Sequence, residues 1–252
     1  MITDPLFWAL AVTAVLIAGI SKGGFGGGVG IIAVPMMSMA ISPFEAAAIM
    51  LPILCAMDLV GLWGYRKRWY RPHMGKLLLA AMVGSAVGAF TFRIMDESAV
   101  RLLVGVLAIG FPVYQRAGIA ERIYAKPPGP VAGMFWSTLS GYTSFIIHAG
   151  MPPFAIYLLG LRLEKAIYVG TTVVFFAIVN YAKILPYWWL DLLNVNNMTT
   201  AAVLVPLAPI GIWIGMWLRD RVPQGIFYDL VHLSLIVTGA KLVWDGLKPW
   251  FA

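Results

Sequence analysis

Apolar runs of the length that crosses a bilayer as a helix, about 20 residues, follow one another along the whole chain and leave no room for a separate soluble domain. They lie near 6–20, 29–41, 44–64, 74–92, 98–115, 130–160, 166–186, 198–218 and 225–247. Of 252 residues, 61% are hydrophobic and 12% charged, where a soluble domain carries about 25% charged. The fold class expected is therefore an all-α integral membrane protein. A single cysteine, Cys55, sits inside an apolar run, so no disulfide framework and no Cys/His metal cluster is expected. No metal, cofactor or soluble metalloenzyme chemistry is anticipated. Asp4 precedes the first basic residue, Lys22, the reverse of a cleaved signal peptide, so the first helix is expected to stay.

The net charge of +7 is read by position, because Lys and Arg mark cytoplasmic loops; nucleic acid is not an expected partner. The clusters fall at 66–76 (Arg66, Lys67, Arg68, Arg71, Lys76), 116–126 (Arg116, Arg122, Lys126) and 219–221 (Arg219, Arg221). The connection 187–197 carries Asp191 and no Lys or Arg, which puts it outside. Two regions depart from simple spanning: 6–41 is cut by SKGGFGGGVG (Ser21 to Gly30), and 130–160 by SGYTSFIIHAGMPP (Ser140 to Pro153). Both read as broken helices, and the loop assignment makes each a hairpin that dips in and returns. Both termini are then expected in the periplasm, which leaves Lys248 outside.

The halves repeat. Pro35, Glu45 and Ala47 recur as Pro153, Glu164 and Ala166 at offsets of 118 to 119, and Gly84 and Gly88 as Gly211 and Gly215 at 127. The expected architecture is two repeats within one transmembrane domain. Residues 1–122 hold the broken hairpin 6–41 and spans 44–64, 74–92 and 98–115; residues 123–252 hold the hairpin 130–160 and spans 166–186, 198–218 and 225–247. Three crossings per half invert the second copy, the signature of a secondary transporter with a midplane site. Irregular backbone at that depth survives only when buried or lining a cavity, so Gly23–Gly30 and Thr143–Gly150 should face one another across one pocket.

Lys22 heads the first break, where Gly23, Gly24, Gly26 and Gly27 leave backbone N–H groups uncovered and a helix resuming near Val29 turns its positive end to the gap. That outlines an anion site. The plainer alternative is close helix crossing with a snorkelling lysine; a nucleotide P-loop is excluded because no Gly-Lys-Ser/Thr follows. The second break offers Ser140, Thr143, Ser144 and His148. Asn180 and Lys183, one turn apart, share a helix face that can meet an anion. Ser42, Pro43 and Glu45 form a capping box, which gives Glu45 a structural role. Asp58 either pairs with the basic cluster after Arg66 or faces the cavity; Asp58 and His148 are the candidates for proton coupling. Trp69, Tyr70, Trp188, Trp189 and Trp250 read as interface belts. The pattern at Gly84 and Gly88 serves internal packing or a homodimer equally well.

KGGFGGGVGIIAVP, SPFEAAAIMLPILCAMDLVGLWGYRKRW, SGYTSFIIHAGMPPFAIYLL and NYAKILPY together resemble the TauE/SafE family, also called the toluene sulfonate uptake permease family. The resemblance covers nearly the whole chain. It implies a bacterial inner-membrane carrier of small sulfur-containing anions such as sulfite, sulfoacetate or sulfolactate. Many members read HAGGPP in the second break, where this chain has Met151 in place of the second glycine. A compact oxyanion asks for N–H donors, hydroxyls and one or two fixed cations, and the two breaks with Lys183 supply those types. No residue fixes the direction; export by alternating access is the expectation. The competing classes are a small-anion channel and an intramembrane enzyme using His148, Asp58 and Ser140 or Ser144. No spacing supports an oriented nucleophile and base, so an enzyme is not expected.

Overall fold

Ser42-Pro43-Phe44-Glu45 opens a helix in the way its residue types require. In this computed structural model the Glu45 amide donates to Ser42 Oγ at 3.1 Å and the Ser42 amide to Glu45 Oε2 at 3.3 Å. Two N–H groups at the helix start thereby gain acceptors. The structure describes residues 2, 4–24, 30–65, 67–118, 127–218, 221 and 224–251. Its helices, in chain order, are α1 (Pro5–Gly24), a 3-10 turn (Gly30–Ile32) running into α2 (Ala33–Met37), α3 (Pro43–Tyr65), α4 (Met74–Ile94), α5 (Glu97–Arg116), α6 (Pro130–Ile147), α7 (Met151–Gly160), α8 (Lys165–Trp189), α9 (Val195–Leu204), α10 (Leu207–Leu218), α11 (Gln224–Leu247) and a 3-10 turn (Lys248–Trp250). Among the described residues there is no strand.

Among the described residues, six stretches are long and apolar enough to cross a membrane: Pro5–Gly23, Pro43–Trp63, Met74–Ile94, Glu97–Arg116, Ile167–Trp189 and Val195–Leu218. The chain is a multi-pass membrane protein. Large side chains such as Trp63, Leu79, Phe90, Ile94 and Trp213 point outward, as lipid-facing residues do. The expected span 198–218 lies within the stretch Val195–Leu218, which is built of two helical pieces meeting at Val205 and Pro206. Pro206 has no N–H to continue the ladder, and α10 restarts through Ala208 N–H to the Val205 carbonyl at 2.9 Å.

Helices from the two ends of the sequence interleave: α1 packs along α10, α4 along α6, α3 along α8 and α5 along α11. Glycines set the closest crossings. A Cβ on Gly84 would lie 1.9 Å from the Thr138 carbonyl oxygen in α6, and one on Gly215 would lie 2.4 Å from the Ile20 carbonyl oxygen in α1. The Gly84/Gly88 pair is thus used inside the protomer, since a Cβ on Gly88 would meet Phe145 at 2.8 Å.

Both breaks are shorter than their polar sequences suggest. α1 stays helical through Ser21, Lys22, Gly23 and Gly24, and α6 stays helical through Ser140, Thr143 and Ser144 to Ile147. Hydroxyls in a helix can bond back to the preceding turn, as Thr143 Oγ1 does to the Leu139 carbonyl at 3.0 Å, so polarity alone does not end the helix. What ends α6 is His148, in the left-handed region at φ 56°, followed by Gly150 and by Pro152 in the first turn of α7. The segment after α2 is held by Arg101 of α5, which donates to the carbonyls of Ser38 at 2.7 Å and Ile41 at 3.3 Å.

Candidate functional site

Lys22 lies in the last turn of α1, where a cation complements the negative end of the helix. Its Nζ reaches Asp58 Oδ1 of α3 at 2.5 Å, and Asn180 Nδ2 of α8 donates to Asp58 Oδ2 at 2.7 Å. Asp58 is fully buried, whereas the Lys22 side chain keeps 16% exposure. The carboxylate therefore pairs across the bundle with Lys22 of α1. Gly23 faces α10: a Cβ there would lie 2.3 Å from the Ile212 carbonyl oxygen, so close helix approach accounts for this glycine. Gly24 is helical in backbone, and Gly26 and Gly27 lie outside the described residues.

The second break is organised by a different lysine. Lys183 of α8, 1% exposed, donates to the Ser144 carbonyl at 2.9 Å and to Ser144 Oγ at 3.0 Å, and its Nζ lies 2.8 Å from His148 Nδ1. The other imidazole nitrogen, Nε2, lies 2.9 Å from the Ala47 carbonyl of α3. A carbonyl only accepts, so Nε2 carries the proton and Nδ1 accepts from the lysine. All three ammonium donors of Lys183 are thereby engaged on neutral acceptors. Thr143 Oγ1 bonds the Ala149 carbonyl at 2.9 Å and Ser140 Oγ the Gly150 carbonyl at 2.7 Å. These hydroxyls satisfy the carbonyls that the break strands. Tyr187 adds a further tie from α8, donating to the Phe145 carbonyl at 2.6 Å.

Between the two breaks lies a cavity of about 80 Å³, room for several waters or one compact oxyanion. Lys22, Gly30 and Ile31 line it from the first break and Ser144, His148 and Met151 from the second, with Asn180 on the α8 wall. Residues on both sides of each break thus border one space. Lys183 stands behind Ser144 and His148 and Thr143 turns to the break backbone, so neither is among the lining residues. A model described as Sulfite exporter TauE/SafE matches residues 11–242. The chain belongs to the TauE/SafE family. No curated protein and no solved structure matches it. In this TauE/SafE chain, Met151 opens α7 and contributes to the cavity wall.

Apart from Asn180, the sequence does not single out the α8 side of the wall. Val169, Thr172, Val173, Phe176 and Asn180 line the cavity from α8, at positions i, i+3, i+4, i+7 and i+11 of one helical face. Extending that spacing backward from Asn180 would have found them. Ala47 gave no signal, because its role is carried by a backbone carbonyl that every residue possesses.

Proposed function

We infer that the cavity is the substrate site of a secondary transporter that moves small sulfur oxyanions, sulfite or short organosulfonates such as sulfoacetate, outward across a bacterial inner membrane. The observation that carries this reading is a cation, Lys22, on the wall of a small cavity bordered by two broken helices. Beside it, Ser144 and Asn180 offer a hydroxyl and an amide within the same walls. Mostly apolar surroundings keep water sparse, which strengthens Coulomb attraction for an anion. This constellation suits binding and release. It lacks the oriented nucleophile and base that a hydrolytic reading requires, because both His148 nitrogens are engaged by Lys183 and Ala47.

Alternating access in this reading comes from two inverted halves, 1–122 and 123–252, with both termini periplasmic. Its support is the exchanged pairing, in which α1 of the first half packs on α10 of the second and α6 of the second on α4 of the first. Gly211 and Gly215 on one side and Gly84 and Gly88 on the other occupy those crossings. Rocking one such set against the other opens the cavity to alternate sides. The test is counterflow of labelled sulfite in liposomes containing the purified protein. A carrier gives saturable, transient accumulation driven by unlabelled sulfite inside, and a channel gives simple equilibration. Labelling of single cysteines near residues 4 and 250 from the periplasm is the expected topology result.

A further inference from the structure

Lys22, the cation on the cavity wall, is already neutralised. Its Nζ sits 2.5 Å from Asp58 Oδ1, and the carboxylate is fully buried. An anion entering this arrangement adds one net negative charge to a poorly hydrated space, beside the Asp58 carboxylate, whose charge repels it. Like charges a few ångströms apart repel strongly where water is sparse. The pair therefore opposes the ligand it is placed to bind, unless Asp58 loses its charge when the anion arrives.

Resting on the reading of the cavity as an anion site, we propose that Asp58 is the proton carrier of this transporter, taking up one proton for each monoanion bound and releasing Lys22 to the substrate. The step balances simply. A hydronium ion reaching the cavity gives its proton to Oδ1 and leaves as water, the Lys22 contact to that oxygen breaks, and the ammonium turns to the anion; nothing is oxidised or reduced. Oδ2 keeps its role throughout, accepting from Asn180 Nδ2 at 2.7 Å, so Asn180 holds the carboxyl group in place in both states. Empty, the site holds Lys22 positive and Asp58 negative. Loaded, it holds Lys22 positive, Asp58 neutral and one anion. Both states cross the membrane without net charge, which suits a carrier that must return empty.

His148, the other titratable candidate at the cavity, is engaged at both nitrogens by groups that fix its tautomer. The ionisable groups within electrostatic reach of Asp58 are Lys22 from α1, Lys183 and Tyr181 from α8 and Cys55 one turn earlier on α3. The α9 and α10 helices, which also pack on α3, carry no ionisable side chain. Lys183 is engaged by Ser144 and His148, so Asp58 is the acid in direct contact with the cavity cation.

The deciding experiment measures the apparent affinity for labelled sulfite by counterflow, as a function of pH, in the parent and in Asp58→Asn, which imitates the protonated acid. Sulfite's own ionisation affects both alike and cancels in their ratio. The expected result is a parent affinity that falls by about tenfold more per pH unit than that of the variant wherever Asp58 is ionised when empty. Equal slopes, or a folded Asp58→Asn that binds at no pH, overturn the coupling while leaving the transporter reading intact. Absence of counterflow in the parent overturns both. If Asp58→Asn does not fold, the parent alone decides: at about pH 6, where sulfite is chiefly the monoanion, flux should be unchanged by an imposed potassium diffusion potential. Flux driven by that potential overturns the proposal.

Discussion

The two breaks use a lysine each, and the lysines end up in opposite situations. Lys22 closes on a carboxylate, keeps partial exposure and borders the cavity. Lys183 is surrounded by three neutral acceptors, is sealed from the cavity and ties α8 to the end of α6. A buried ammonium with every donor occupied is a brace, since its three hydrogens have nowhere else to point. One that borders the cavity and is held by a single buried carboxylate is, in the proposed coupling, the cation released to the anion. Both bonding sets also reach α3, through Asp58 on one side and the Ala47 carbonyl on the other. The same pair of helices, α3 and α8, therefore holds both breaks by unlike chemistry, one ionic and one neutral.

The largest effect should come from breaking the ionic side. Lys22→Ala leaves Asp58 buried and unpaired, which costs about 3–5 kcal/mol, read as a lowered melting temperature in detergent. Sulfite affinity in the folded fraction should fall by roughly ten- to a hundredfold, as expected for losing a charge-assisted contact. Adding Asp58→Asn should recover most of the stability and little of the affinity. Recovery of both would remove Lys22 from the site.

A smaller loss, about 2–3 kcal/mol, is expected for Lys183→Met, which leaves Ser144 and the His148 Nδ1 without their donor but also removes a buried charge. Affinity in the protein that folds should change by less than about threefold. A fall as deep as that of Lys22→Ala would make Lys183 a ligand and erase the distinction between the two sides. The smallest effect is expected for Ser144→Ala, about 1 kcal/mol, because Lys183 retains the Ser144 carbonyl and His148. If the Ser144 hydroxyl also contacts the anion, affinity will drop with it, and binding measured beside melting separates the two roles.

Much of the helical framework was legible because lipid imposes its rule residue by residue. The apolar runs near 44–64, 74–92 and 98–115 became Pro43–Tyr65, Met74–Ile94 and Glu97–Arg116. The capping box at Ser42 worked as local chemistry must, through groups three residues apart. The breaks were legible in place but not in extent, because Ser and Thr can serve a helix or a break, and the choice rests on which carbonyls lie nearby. Thr143 bonds both Leu139 of its own helix and Ala149 beyond it.

For the site, the sequence by itself determined which side chains are chemically able to meet an anion: Lys22, Ser144, His148, Asn180 and Lys183 stood out as polar groups in apolar runs. It did not determine who partners whom. Asp58 is near Arg66 in sequence yet bonds Lys22 and Asn180, 36 and 122 residues away. His148 takes its tautomer from a backbone carbonyl 101 residues distant. Burial and hydropathy are properties a residue carries with it, so they can be read along the chain. A hydrogen bond between helices depends on their rotation and depth, which the glycine crossings of α1 with α10 and α4 with α6 help to set, and only the packed bundle decided that Lys22 would face the cavity and Lys183 would brace it.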